Sequence, residues 1–116
     1  MSGLSAYYKD VATHFVEHYF ARIAAEEDIS PMYREDSVAR VNSKELKGVK
    51  EITEAIKALG LKSYKNNAFS AQPFEDKKVI LTISAKADEK VFAMVIILQE
   101  VENSTFYVKN QEVYDI

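Results

Sequence analysis

The 116-residue sequence predicts one α+β domain in which N-terminal helices pack on one face of an antiparallel sheet. Three observations support this fold class. Apolar residues recur every three or four positions in the first half of the chain, and they alternate with a period of two in the second half. In addition, no repeat, linker or change of composition divides the chain. Residues 1–116 are therefore predicted to form a single domain.

The helices are predicted from the spacing of apolar residues and from the residues at their ends. Residues 4–25 form the longest predicted helix, and residues 29–34 form a short second helix with Pro31 near its start. A third helix begins at Gly48 and ends at Gly60, because glycine is favoured just after the end of a helix. The apolar residues that define the stripe of the first helix are Leu4, Tyr8, Val11, Phe15, Tyr19 and Ile23.

The strands are predicted from alternation and from the polar turns between them. A short strand is predicted at residues 37–42. Four longer strands follow the third helix, at residues 61–74, 77–86, 91–101 and 106–114. Since short turns join these four strands, we expect an antiparallel meander.

The segment 91–98 is apolar on both faces of its predicted strand. A sheet covered by helices on one side should alternate apolar and polar residues, so one apolar face of this strand has no cover. Apolar side chains contribute roughly 1.5–3 kcal/mol each when buried, and an exposed patch of them marks a partner surface. The residues that we assign to a dimer interface, including two on neighbouring strands, are Phe92, Met94, Ile96, Leu98, Ile80 and Tyr107.

Two alternatives to this interface stay open at the level of sequence. A shift of register by one residue would exchange the two faces of the strand. A loop of the same chain could also cover the second face, and then no partner would be needed. The opposite set of side chains on the strand is Val91, Ala93, Val95 and Ile97.

Composition limits the classes of function. The chain has no Cys, which excludes disulfides, thiolate zinc sites and a Cys nucleophile. Its net charge is −3 and it has no basic stripe, so direct binding to nucleic acid is not expected. No signal peptide is visible, and the longest apolar run is too short to cross a bilayer. We expect a soluble intracellular protein with no membrane contact and no cofactor.

Five segments carry a family resemblance through their order and spacing. They are Phe15-Val16-Glu17-His18-Tyr19-Phe20, residues 29–37, residues 48–52, Gln72-Pro73 before the strand residues 79–81, and Phe106-Tyr107-Val108-Lys109-Asn110. These segments resemble nuclear transport factor 2 and its relatives, whose signatures read roughly F-V-x-x-Y-Y, L-x-x-x-Y-x-x-x-S, G-x-x-x-I and F-Y-V-x-N-D. The likeness covers nearly the whole chain.

The resemblance implies a cone-shaped fold that dimerises through its sheet and has no catalytic activity. Three roles follow from it: protein import that depends on the GTPase Ran, mRNA export as a small partner subunit, or the dimerising head of an RNA-granule protein of the Ras-GAP SH3-binding type. The implied partners are a second copy or a related domain, and Phe-Gly peptides such as nuclear-pore repeats. The implied location is the cytoplasm, the nucleus and the pores of the nuclear envelope.

The resemblance also assigns candidate binding residues. The family's groove for Phe-Gly peptides maps onto Phe15, Met32 and Val113. The family's contacts to Ran map onto four positions. At two of them the aromatic–acid pair is replaced, and at the other two the acidic loop is partly kept, although Lys90 follows where the family has another acid. Losing two carboxylates that pair with a GTPase lysine argues against Ran binding. Those four positions are Val41, Asn42, Asp88 and Glu89.

Two patterns suggest chemistry, and both favour a structural interpretation. His14 and His18 belong to an H-x-x-E-H sequence, as in some zinc peptidases, but a third ligand is lacking and the helix serves the core. An isomerase-like pocket, which this fold also supports in other proteins, would need a carboxylate inside an apolar cavity. Carboxylates such as Asp76 and Asp88 lie instead in predicted turns. We expect no metal site and no enzymatic activity.

Overall fold

The computed structural model describes residues 3–60, 64–75, 77–87, 90–102 and 105–115. Two α-helices, one short 3₁₀ turn at Ser30–Met32 and six strands make up this part of the chain. The α-helices are α1 (Gly3–Ala24) and α2 (Val49–Ala58). The strands are β1 (Tyr33–Val41), β2 (Lys44–Lys47), β3 (Tyr64–Phe74), β4 (Lys78–Ala87), β5 (Lys90–Glu100) and β6 (Phe106–Asp115).

The six strands form one sheet in the order β2-β1-β6-β5-β4-β3. The meander from β3 to β6 is antiparallel as predicted, and β1 and β2 form an antiparallel hairpin at the other edge. The pairing of β1 with β6 is parallel, so the sheet is mixed and the prediction of an antiparallel sheet is wrong at this point. The α+β class is confirmed: both helices pack against the same face of the sheet, with α1 over β3 and β4 and α2 over β1 and β2.

The core lies between the helices and this face of the sheet. Helix α1 contributes Val16, Tyr19 and Phe20, which are almost entirely buried. Helix α2 contributes Ile52 and Ile56, four residues apart on one side of the helix. The sheet contributes a larger set of buried residues, which includes Val79, Leu81, Ile83, Phe92, Met94, Ile96, Leu98 and Val113.

The segment between the two helices differs from its prediction. The predicted helix at residues 29–34 is only a 3₁₀ turn, and β1 already begins at Tyr33. The pairing of β1 with β6 is irregular near the start of β1, and Ser37 bonds to both strands there. Its hydroxyl donates to the Val108 carbonyl and accepts from the Arg34 amide. These bonds tie β1 to β6 across a shift in register. Strand β2 was not predicted, because its four residues are mostly polar.

Within the described ranges, neither α-helix combines the length and the apolar character that a bilayer crossing requires.

Candidate functional site

The face of the sheet that points away from the helices is a candidate binding surface. Its middle row pairs Ile80 with Ile97, Ile97 with Asn110, and Asn110 with Val38 across four strands. Val95 lies next to this row on β5, and Tyr114 lies four residues beyond Asn110 on β6. Val38 and Tyr114 are 41% and 43% exposed, which is unusual for large apolar side chains on a sheet. We call these residues the open face, together with Val91 at the end of β5.

A shallow depression of about 320 Å³ lies on the open face where β1, β6 and β5 meet. Val38, Val95 and Ile97 form its apolar part. On its rim, the Arg40 guanidinium donates to the Glu45 carboxylate at 2.6 Å. The open face therefore combines an apolar centre with exposed charges of both signs, as protein–protein interfaces do.

The sequence-based choice of the dimer interface is wrong for one face of β5. Phe92, Met94, Ile96 and Leu98 are at most 1% exposed and belong to the core beneath the helices. Since successive residues of a strand point to opposite faces, Val91, Ala93, Val95 and Ile97 take the open side instead. The alternation had been identified correctly, but the side covered by the helices had not.

The two interface residues on neighbouring strands have different outcomes. Ile80 pairs with Ile97 and lies half-buried on the open face. Tyr107 is 7% exposed and is covered by its own chain. The Arg34 guanidinium lies 5.1 Å from the centre of the Tyr107 ring, and the Tyr107 hydroxyl donates to Asp36 at 2.9 Å. Tyr107 is therefore not available as an interface residue.

The predicted peptide groove is only partly present. Phe15 and Met32 are half-buried and pack at the edge of the core, so each keeps part of its side chain exposed. Phe15 stacks on Tyr19 with ring centres 5.2 Å apart. Val113 is 1% exposed and pairs with Met94 inside the core, so its assignment to a peptide groove is wrong.

The residues predicted to contact a GTPase differ in their exposure in the structure. Val41 is buried with 8% exposure and cannot offer its side chain to a partner. Asn42 lies exposed in the turn between β1 and β2. Asp88 and Glu89 lie outside the described residues.

The core contains a polar centre that the sequence did not reveal. The Tyr33 hydroxyl donates to the Gln111 carbonyl oxygen at 2.6 Å, and the Gln111 amide nitrogen donates to the Tyr19 hydroxyl at 3.1 Å. A 2.9 Å bond between the two hydroxyls closes the ring. Tyr33 donates to Gln111, so Tyr19 is the donor to Tyr33. All buried side-chain polar atoms of the described residues have a partner.

Burial makes both tyrosines of this polar centre weak acids. Loss of water around the hydroxyl raises the pKa of Tyr19, and its hydrogen bonds with Gln111 and Tyr33 lower this pKa in part. The pKa of Tyr33 is raised well above its usual value by burial, and Tyr19 adds to the effect. Both groups are therefore neutral over the physiological range and serve as hydrogen-bonding groups.

His14 and His18 lie exposed on one side of α1, with stacked rings whose centres are 5.5 Å apart. In the part of the chain that the structure describes, no three His, Asp or Glu side chains come together as metal ligands would. The two histidines alone fall short of the three protein ligands of a catalytic zinc site.

The fold and the site define a class of protein: two helices packed on a curved mixed sheet whose other face is exposed and partly apolar. A family model described as the nuclear transport factor 2 (NTF2) domain matches residues 11–113. This chain belongs to the NTF2 domain family. In a direct comparison, no curated protein sequence matched the chain.

Solved structures with this fold have diverse descriptions. Nuclear transport factor 2 of Cryptosporidium parvum aligns over 100% of both chains with a TM-score of 0.74 and 17% identity. The yeast complex of the deubiquitinase Ubp3 with its cofactor Bre5 aligns over 93% of this chain and 96% of the other, with a TM-score of 0.66 and 16% identity. A steroid delta-isomerase of Pseudomonas aeruginosa covers 90% and 79%, with a TM-score of 0.59 and 16% identity. At these identities the likeness establishes the fold alone.

Proposed function

We propose that this protein is a non-catalytic adaptor that dimerises through the open face of its sheet and binds Phe-containing peptides. Its proposed setting is transport between nucleus and cytoplasm, with nuclear-pore repeats as the peptides. The observation that carries the proposal is the row of exposed and half-buried apolar residues on the open face. A second copy of the chain is the proposed partner for that face.

The open face suits a pair of identical chains. In a twofold dimer the same surface meets itself, so each charged group needs an opposite charge on the same surface. Arg40 and Glu45 supply one charge of each sign beside the apolar centre, and Glu112 adds a second carboxylate. Val38, Val95 and Ile97 can then lose water against the same residues of the second copy, with a gain of about 25 cal/mol per Å² of apolar surface buried.

The polar centre of the core favours a binding role over catalysis. A proton-transfer site of the isomerase kind needs a carboxylate in a water-poor cavity. Among the Asp and Glu side chains whose burial the structure describes, every one is exposed or half-buried, and the polar centre is formed by two hydroxyls and an amide. The fold is similar to that of a steroid isomerase, but the buried side chains of the described residues include no carboxylate that could transfer the proton.

The peptide-binding part of the proposal is supported by Phe15 and Met32. Both remain partly exposed at the edge of the core, where an apolar side chain of a peptide can pack without disturbing the fold. The description of one structural neighbour as a complex of a deubiquitinase with its cofactor agrees with a protein-binding role for this fold.

The proposal is tested by sedimentation velocity with an interface variant and a control. Ile97→Glu adds a charge at the centre of the open face, whereas Thr13→Glu adds the same charge at an exposed position of α1 on the opposite side of the sheet. We expect the wild type and Thr13→Glu to sediment as dimers and Ile97→Glu as a folded monomer. A monomeric wild type, or a dimer that both variants keep, would refute dimerisation through this face.

Peptide binding is tested separately with a fluorescent Phe-Gly repeat peptide. The same peptide with Ser in place of each Phe is the control. Binding of the first peptide alone supports the adaptor role, and equal or absent binding of both contradicts it.

A further inference from the structure

A second candidate binding surface lies at the C-terminal ends of α1 and α2. It shares no residue with the open face. The last turn of α1, residues 26–29 and the second half of α2 enclose a cleft of about 660 Å³. This volume is within the range of ligand pockets, roughly 300–1,000 Å³. Three aliphatic side chains form its floor: Ile23 is half-buried, while Ile29 and Ile56 are 6% and 1% exposed.

The rim of the cleft is strongly acidic. Four carboxylates and one ammonium group line it, which leaves an excess of three negative charges. The Arg22 guanidinium, which contacts the Asp28 carbonyl from outside the lining, offsets part of this excess, so the cleft remains negative on balance. The charged lining residues are Glu26, Glu27, Asp28, Glu54 and Lys57.

Both helices direct their C-terminal ends to the cleft. Helix α1 ends at Ala24 and α2 ends at Ala58, and the lining residues Glu26 and Gly60 come two positions after these ends. The C-terminus of a helix carries a partial negative charge of about half an electron, which favours nearby cations. Two such ends add to the field of the carboxylates, so the cleft selects positive groups.

The backbone of the rim is held in place by specific bonds. The Glu27 amide donates to the Arg22 carbonyl at 2.8 Å and the Glu26 amide donates to the Ile23 carbonyl at 3.1 Å, which is the Schellman pattern of a helix end. The Arg22 guanidinium also donates to the Asp28 carbonyl at 3.2 Å. Three of the four acidic residues, Glu26, Glu27 and Asp28, are thus held on a loop fixed by these bonds, and Glu54 is held on α2.

Glu26 occupies a position where glycine is preferred. Its φ of 58° is left-handed, which a side chain with a Cβ adopts only at a cost. The equivalent position after α2 is Gly60, with a φ of 69° and the expected bond to the Lys57 carbonyl. The chain therefore uses glycine at one end of the cleft and tolerates strain to place a carboxylate at the other. Strain of this kind is typical of functional sites.

We propose that this cleft binds a cationic segment of a partner protein, with one large apolar side chain on the isoleucine floor and flanking Lys or Arg residues on the acidic rim. The apolar floor favours the large apolar side chain of the segment. The acidic rim and the two helix ends favour its flanking positive charges. The site does not involve the open face, so a monomer should bind the segment as well as a dimer.

The test is a fluorescence-anisotropy titration with three labelled peptides: Lys-Arg-Leu-Arg-Lys, the same peptide with Ser in place of Leu, and Glu-Asp-Leu-Asp-Glu. We expect binding of the first, weaker binding of the second, and none of the third. Equal affinity of the Leu and Ser peptides would mean that the floor takes no part, and would overturn the proposal. Binding of the acidic peptide would do the same.

Charge reversals on the rim of the cleft and at a position outside it locate the site. Glu54 lines the cleft, whereas Glu51 lies one turn earlier, is also exposed and lies outside the lining. Each rim pair is worth at most a few-fold in affinity, so Glu54→Lys combined with Glu27→Lys should weaken binding by about tenfold. Glu51→Lys should leave it within about twofold. Equal effects of the two sets of changes would refute the location.

The outcome is separable from that of the proposed dimer. Ile97→Glu should bind the Lys-Arg-Leu-Arg-Lys peptide with wild-type affinity even as a monomer. If the wild type is a dimer but binds no cationic peptide, this inference fails alone. If the wild type is a monomer that binds the peptide through Glu54, the dimer proposal fails alone.

Discussion

At the scale of single residues, Tyr33 is the centre of the buried hydrogen bonds. Its hydroxyl accepts from Tyr19 and donates to Gln111, and the two partners come from α1 and β6, which are far apart in the sequence. The polar centre therefore fixes the helix and the sheet relative to each other. A buried polar group that loses its partner costs about 1–3 kcal/mol.

Tyr33→Phe should accordingly lower the free energy of unfolding by about 1–3 kcal/mol, because the Tyr19 donor and the Gln111 acceptor both lose a partner. Urea denaturation measures the change. The double variant with Tyr19→Phe should cost less than the sum of the single changes, since the same ring of bonds is broken. A neutral effect of Tyr33→Phe would show that these bonds do not stabilise the fold.

The raised pKa values of Tyr19 and Tyr33 predict sensitivity to alkali. In the unfolded chain a tyrosine ionises near pH 10, whereas burial raises the pKa of both hydroxyls in the folded protein. Their contribution to stability is complete below pH 10 and decreases as the pH rises from there through the folded pKa values. When both residues are replaced by Phe, the midpoint pH of alkaline unfolding, measured by circular dichroism, should therefore shift to a higher value. The two proteins are compared under conditions that give them the same free energy of unfolding at neutral pH.

Glu26 offers a test of strain at a single residue. Glu26→Gly removes the left-handed strain after α1, and should raise the free energy of unfolding by about 0.5–1 kcal/mol. The same change removes a rim carboxylate, so it should weaken the cationic peptide. Thermal unfolding and the anisotropy titration check the two effects. A loss of stability would mean that the carboxylate contributes more to the fold than the strain costs.

At the scale of elements, the sequence predicted α1, α2 and the four-strand meander because their patterns are local. Gly48 and Gly60 marked the ends of α2 correctly, with left-handed φ values of 87° and 69°. The orientation of β5 could not be predicted from alternation, because both of its faces are apolar. The orientation of β5 is decided by which of its two faces the helices cover.

Elements whose pairing is distant in sequence were missed or misassigned. The parallel pairing of β1 with β6 joins residues about 70 positions apart, and no local period reports it. Val113 was assigned to a groove from the family resemblance, and its pairing with Met94 places it in the core instead. The bond between Tyr33 and Gln111 likewise connects residues that only the folded sheet brings together.

The turn between β1 and β2 provides a prediction for one element. Asn42 and Ser43 both have positive φ values, 48° and 75°, as in the two-residue turns that prefer Asn followed by Gly. Ser43→Gly should therefore raise the free energy of unfolding by about 0.5–1 kcal/mol. Ser43→Val, a β-branched residue, should lower it. Urea denaturation of both variants checks the sign, and equal stabilities would contradict the assignment of the turn.

At the scale of the whole molecule, the two faces of the sheet differ in cover. One face and both helices form the core, while the open face and the acidic cleft are the surfaces that we propose for partners. Phe92 and Ile97 lie on the same strand and point to these two sides. A charge on each side should therefore have a different consequence.

Phe92→Glu places a charge in the core and should prevent folding, since an unpaired buried charge and a lost aromatic side chain each cost several kcal/mol. Ile97→Glu should leave the fold intact and raise the dissociation constant of the dimer by about a hundredfold, because two copies of the residue leave the interface. Circular dichroism separates the two outcomes. An unfolded Ile97→Glu would place this residue in the core instead.

Small-angle X-ray scattering over a range of protein concentrations tests the central claim most directly, because it reports mass and shape together. One chain has a mass of 13.2 kDa and a Cα radius of gyration of 13.5 Å. Two chains joined at their open faces should give twice that mass and a clearly larger radius. A particle that keeps the mass and the radius of one chain at every concentration would contradict the proposal that the open face pairs with a second copy.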